Sequence, residues 1–210
     1  MWVLVVAYVV VSALDVIAEA TGAGSAAFVL RLLAMPLLIG VLITARPRFG
    51  RTPVLVTGAL VLSWLGDTVG DVSELAKIAL FLVAQLFFIG AFWPLRRWSL
   101  LRRPAVVGLY LVLGGTIAAA MISRAGGLAI PVAIYGLSLV TMAILASGVS
   151  RRAAFGGVLF LISDSLLGVT WFYPGLAPTF LAFSIMLTYL SAQGLLVWGV
   201  LKADRRGRLV

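Results

Sequence analysis

GGVLFLISDSLLG, residues 156–168, decides how the rest of the chain is read. With its flanks it forms an uninterrupted apolar run over 153–172, and within that run stands one ionisable side chain, Asp164, between Ser163 and Ser165. A helix of that length matches the ~30 Å hydrocarbon core of a bilayer. An aspartate inside it costs about 2.5–3.5 kcal/mol on insertion scales, so it faces protein or a wet cavity and marks a functional position. A second stretch answers it: LVLSWLGDTVGD, residues 60–71, ends another apolar run with Asp67. The two carboxylates are expected to meet.

The whole chain supports the membrane reading. Its 210 residues are 63% hydrophobic and 11% charged, with a mean hydropathy of +1.18. Apolar runs fall at 2–17, 26–45, 53–66, 75–93, 105–122, 128–147, 153–172 and 178–201. They are continuous rather than alternating, which excludes a transmembrane barrel. The expected fold is therefore all-α, a polytopic membrane helix bundle of about eight spans, forming a single integral domain over 1–210 in the cell (plasma) membrane. The run at 2–17 lacks a basic leader and a small-residue cleavage site, so it reads as the first span, and it and the third are short. Neither cysteine nor histidine occurs, which removes thiolate and imidazole ligands; nothing points to a metal or a cofactor.

The net charge of +9 comes from short basic clusters between apolar runs without interleaved aromatics, which argues against nucleic acid. Arg46, Arg48 and Arg51 form one cluster, Arg96, Arg97, Arg102 and Arg103 the next, then Arg151 with Arg152, and finally Lys202, Arg205, Arg206 and Arg208. Only Arg31, Lys77 and Arg124 fall in the alternate loops, so the positive-inside rule places both termini in the cytoplasm. The acids show the opposite bias. Asp15 and Glu19 read as interfacial, Asp71 as an outer-loop charge, and Glu74 as an acid complementing the start of the fourth helix.

Depth permits the aspartates to pair. Asp164 follows Arg152 by about 18 Å of helical rise and Asp67 follows Arg51 by about 24 Å, within roughly one turn of each other. Each also has an idle reading: Asp164 as a polar contact to a neighbouring hydroxyl, Asp67 as a solvated helix end. Gln85, Tyr135, Tyr189 and Gln193 read either as interhelical hydrogen-bonding groups or as members of the site. Pro36 and Pro131 shape their helices.

Several stretches in order carry a resemblance: Met35–Pro36, LGD at 65–67, FLVAQLFFIGAF at 81–92, PVAIYGLSLVTMA at 131–143, GGVLFLISDSLLG, and MLTYLSAQGLL at 186–196. Together they resemble the YhhN family of integral membrane proteins, which includes the lysoplasmalogenases. The resemblance implies hydrolysis of the vinyl ether bond of a lysoplasmalogen, with a lysophospholipid as substrate and membrane lipids as surroundings. It implies acid/base catalysis by Asp67 and Asp164, either with the deeper Asp164 as acid and Asp67 as base or electrostatic partner or with the two roles reversed, and with Tyr135, Tyr189, Gln193, Gln85 and Ser163 orienting the pair or the glycerol. The chain departs from the family pattern at Met35, Gln85 and Phe88, where lysine, histidine and tyrosine are usual. Two other classes fit the same aspartates: a small transporter using them as an ion or proton site, and a lipid-binding protein without catalysis.

Overall fold

The computed structural model describes residues 1–45, 50–69, 73–175 and 178–207. Its eight long helices are α1 (Trp2–Thr21), α2 (Gly24–Thr44), α3 (Arg51–Val69), α4 (Glu74–Phe92), α5 (Pro104–Ile122), α6 (Ala129–Val149), α7 (Arg151–Phe172) and α8 (Pro178–Arg205). All eight lie in segments long and apolar enough to cross a membrane, and no strand occurs among the described residues. The protein is an integral, multi-pass membrane protein. Arg46, Arg48, Asp71 and Arg208 lie outside the described residues.

Seven of the helices close on themselves. Proceeding round the molecule, α1 packs on α2, α2 on α3, α3 on α4, α4 on α6, α6 on α7, α7 on α8, and α8 returns to α1. Helix α5 stands outside this circuit against α6, and Met121 is its only buried residue. Helix α8 also reaches inward to α2, α3 and α6. Lipid supplies no hydrophobic drive between helices, so neighbours are fastened by close packing and by hydroxyl-to-carbonyl bonds. Tyr8 Oη donates to the Leu190 carbonyl at 2.6 Å, joining α1 to α8. Ser163 Oγ donates to Ile185 O at 3.0 Å, joining α7 to α8. Thr52 Oγ1 and Trp64 Nε1 tie α3 to Ala91 O of α4 and Leu32 O of α2, at 3.1 and 3.0 Å.

The glycine pair that opens GGVLFLISDSLLG lets α7 sit deep between its neighbours. A Cβ on Gly156 would lie 2.9 Å from the Ala192 carbonyl oxygen of α8, and one on Gly157 would lie 2.9 Å from Ala143 Cα of α6. Backbone meets backbone on both sides, and α7 is wedged where only hydrogen fits. Phe160, wholly buried one turn further on, fills the space this close approach leaves toward α4 and α8.

Helix boundaries differ from the sequence reading in two informative places. Helix α1 runs four residues past Ile17 and ends at Gly22 in the left-handed conformation, with φ of 74°. Helix α3 runs through Asp67 to Val69 instead of stopping at Gly66. In α3 an acidic residue suggests an end, but a carboxylate that points inward does not interrupt the backbone ladder; in α1 Glu19 lies beyond the apolar run and is accommodated in the last turn by its pairing with Arg31. Glu74 does open α4, as expected, behind Ser73, whose hydroxyl accepts the Ala76 N–H at 3.2 Å.

Candidate active site

Asp67 is almost wholly enclosed, at 3% exposure, and is no solvated helix end. Ser63, one turn earlier on α3, faces the same way and is buried. Opposite them α8 presents Tyr189 and, four residues later, Gln193. Tyr189 Oη donates to Asp67 Oδ2 at 2.8 Å, and Gln193 Nε2 donates to Ser63 Oγ at 3.2 Å. Because α3 and α8 run in opposite directions, these bonds form two successive rungs. The Tyr189 ring is held edge-on by Phe81 of α4 at 5.9 Å between centroids and by Phe160 of α7 at 5.7 Å, so its hydroxyl has one direction in which to point.

Asp164 is held in a parallel manner from the other side of α7. Tyr135 of α6 donates its hydroxyl to Asp164 Oδ2. Gln85 of α4 is wholly buried and lies within reach of the Tyr135 hydroxyl, yet neither of its amide atoms completes a hydrogen bond. Asp164 retains partial exposure and is the less enclosed of the two acids. The two aspartates lie within electrostatic range of one another, and Lys77 at the start of α4 lies within range of both.

The structure thus gathers Asp67, Tyr189, Gln193, Asp164, Tyr135 and Gln85 in the interior between α3, α4, α6, α7 and α8. Ser163 stands apart from the carboxylates, because its hydroxyl is committed to the α8 backbone.

Two features escaped the sequence reading. Asp15, expected at the interface, is wholly buried, and neither carboxylate oxygen has a hydrogen-bond partner. It lies on the inward face of α1 with Tyr8 and Ala18, within electrostatic range of Asp67 and Arg31. The spacing of seven from Tyr8 puts both on one face, but a helix that is apolar all round gives no stripe to show which face turns inward. The second feature is cationic: Arg31, paired with Glu19, lies within electrostatic range of Asp67, and Lys77 within range of both Asp67 and Asp164, whereas a count of charges by loop reads them only as outer-side residues. Among the described residues no group of three or more histidine, cysteine, aspartate or glutamate side chains could hold a metal ion.

Fold and site together define a polytopic membrane protein with an interior pair of tyrosine-held aspartates. The chain belongs to the YhhN family, whose model matches residues 26–200. It is 33% identical over 172 residues to human lysoplasmalogenase TMEM86B, a similarity that covers 79% of this chain and 71% of that protein. No solved structure gives a significant match. All of α1, including Asp15, precedes the family match.

Proposed function

We propose that this protein is a lysoplasmalogenase-like hydrolase, cleaving the vinyl ether bond of a lysoplasmalogen to a fatty aldehyde and a glycerophospho-base. Family membership and the likeness to a lysoplasmalogenase support the reaction class. The observation that carries the mechanism is the pair Asp67 and Asp164, on different helices, each gripped by a tyrosine from a further helix.

A vinyl ether is broken by protonating the carbon β to its oxygen. In a low-dielectric interior two carboxyl groups within electrostatic range of one another resist carrying two charges at once, which leaves one as acid and the other as base. Asp164 gives its proton to the β-carbon, and the ether oxygen stabilises the resulting cation. Asp67, with Tyr189 donating to it and with Arg31 and Lys77 in electrostatic range, faces that cation as the carboxylate. Water adds to the α-carbon and yields its proton to Asp67, giving a hemiacetal. The hemiacetal hydroxyl then returns a proton to Asp164 while Asp67 protonates the departing glycerol oxygen. The carbon–oxygen bond breaks, the aldehyde leaves, and both aspartates regain their starting states.

The test is aldehyde release from a lysoplasmalogen by the purified protein in detergent, against the saturated alkyl ether as control. The wild type is expected to consume the vinyl ether alone, and Asp67→Asn and Asp164→Asn each to lose on the order of a hundredfold or more in rate. If none of the three releases aldehyde while proteoliposomes of the wild type move a solute, the aspartates serve transport instead.

A further inference from the structure

A groove lies outside this site, at the seam of α1 and α8. It has a volume of about 1010 Å³, is walled by apolar side chains and is open along one side. On α1 its lining extends from Trp2 to Ile17, a rise of about 23 Å, long enough to take an extended acyl chain along most of a ~30 Å core. The aspartates do not line it. Tyr8 and Leu190 stand at its floor, and the bond between Tyr8 Oη and the Leu190 carbonyl closes it from the interior. Tyr189 turns from the next position of α8 to the opposite side, toward Asp67.

The groove has a charged end. Arg152 from the start of α7 and Lys202, Arg205 and Arg206 from the end of α8 line its mouth beside Met1. Lys202 lies within electrostatic range of both Arg152 and Arg206, so three like charges crowd together. The Arg152 guanidinium lies 5.2 Å from the centroid of Trp198, which places an amphipathic aromatic at the same level. Asp204, on the same turn of α8, is buried. Topological signalling accounts for basic residues near a helix end. It does not require four of them from two helices to converge on the mouth of one apolar slot.

We propose that this groove is a binding site for an anionic glycerophospholipid of the leaflet on the side of Met1. One acyl chain lies along α1 and α8, and the phosphate sits among Arg152, Lys202, Arg205 and Arg206. The four cations meet a phosphate that carries no compensating ammonium, so a lipid with net negative charge is favoured over a zwitterionic one. Such a lipid braces α1 against α8 without entering the interior. The proposal does not depend on the reaction assigned to the aspartates, and its test uses no turnover.

The experiment is thermal unfolding of the purified chain in a neutral detergent, with phosphatidylglycerol or phosphatidylcholine added at matched acyl composition. Phosphatidylglycerol at saturation is expected to raise the midpoint by roughly 5 °C, with phosphatidylcholine giving less than half of that rise. The triple variant Lys202→Gln, Arg205→Gln, Arg206→Gln should keep its lipid-free midpoint and lose the difference between the two lipids. Ala13→Phe, which fills the groove and leaves every cation in place, should lose the response to phosphatidylglycerol as well. Equal shifts from both lipids in the wild type, or an undiminished phosphatidylglycerol shift in Ala13→Phe, overturn the proposal.

Discussion

Tyr189 donates its hydroxyl to Asp67 across 122 residues of sequence, at 2.8 Å, where the carboxylate is only 3% exposed. The bond joins the last helix to the third and orients the acid toward the middle of the bundle. Two phenylalanines from two further helices hold the tyrosine ring, so the direction of this one bond is set by four elements at once.

Tyr189→Phe keeps the ring and its aromatic contacts while removing the donor. Under the proposed reaction, turnover should fall roughly tenfold to a hundredfold, since the carboxylate remains but is no longer aimed. The cost in stability should stay near ~1–3 kcal/mol, the penalty for one unsatisfied buried group. Aldehyde release and thermal unfolding on the same preparation check both halves, and an unchanged rate would show that Asp67 needs no orientation.

Gln85→Leu separates a working side chain from a packing one. Both amide atoms are buried and neither completes a bond, so an apolar replacement of similar size should leave the midpoint unchanged or raise it. Catalysis should nevertheless decline, because the amide lies within reach of the Tyr135 hydroxyl that holds Asp164. A midpoint that drops by several degrees would mean that the amide is satisfied in the membrane by groups such as water.

Asp15→Asn should stabilise the protein. Neither oxygen of Asp15 has a donor in a wholly enclosed site, and replacing the acid with a neutral amide of the same shape relieves part of its desolvation cost, about 1–3 kcal/mol. The measurement is the unfolding midpoint in neutral detergent at constant lipid. A fall instead of a rise would show that Asp15 has a partner when the protein is embedded.

Gly157→Ala should be among the most damaging single-carbon changes in the bundle. The added Cβ would lie 2.9 Å from Ala143 Cα and 3.2 Å from Ala143 O, and backbone cannot rotate aside as a side chain can. A loss of about 1–3 kcal/mol is expected from overpacking. Activity should fall with it, since α7 carries Asp164 and α6 carries Tyr135, and any separation of the two helices lengthens the bond between them. Gly115→Ala on peripheral α5, where a Cβ would meet nothing within 4 Å, is the matched control and should change little.

The number and approximate place of the spans were legible because a bilayer imposes one length and one composition on anything that crosses it. The candidacy of Asp67 and Asp164 was legible for the same reason, since a lone acid within an apolar run stands out. Which way a residue faces was not. Asp15 reads as interfacial, and Asp67 admits a solvated helix end beside its place in the pair, yet both are enclosed because the helices continue past them with the acid turned inward. Ser163 was read beside Asp164 by adjacency, but neighbours in a helix diverge by about 100°, and its hydroxyl serves α8 instead.

The sequence by itself determined that this is a membrane-spanning, all-helical protein with two isolated acids, because hydropathy and charge are sums over residues and need no partner to be read. Only the tertiary structure decided that α8 brings Tyr189 to Asp67, that α6 brings Tyr135 to Asp164, and that α5 is left outside the circuit. Those outcomes depend on which face of each helix turns inward. Helices that are apolar on every side carry no stripe to announce it, so packing between glycines, aromatics and hydroxyls makes the choice.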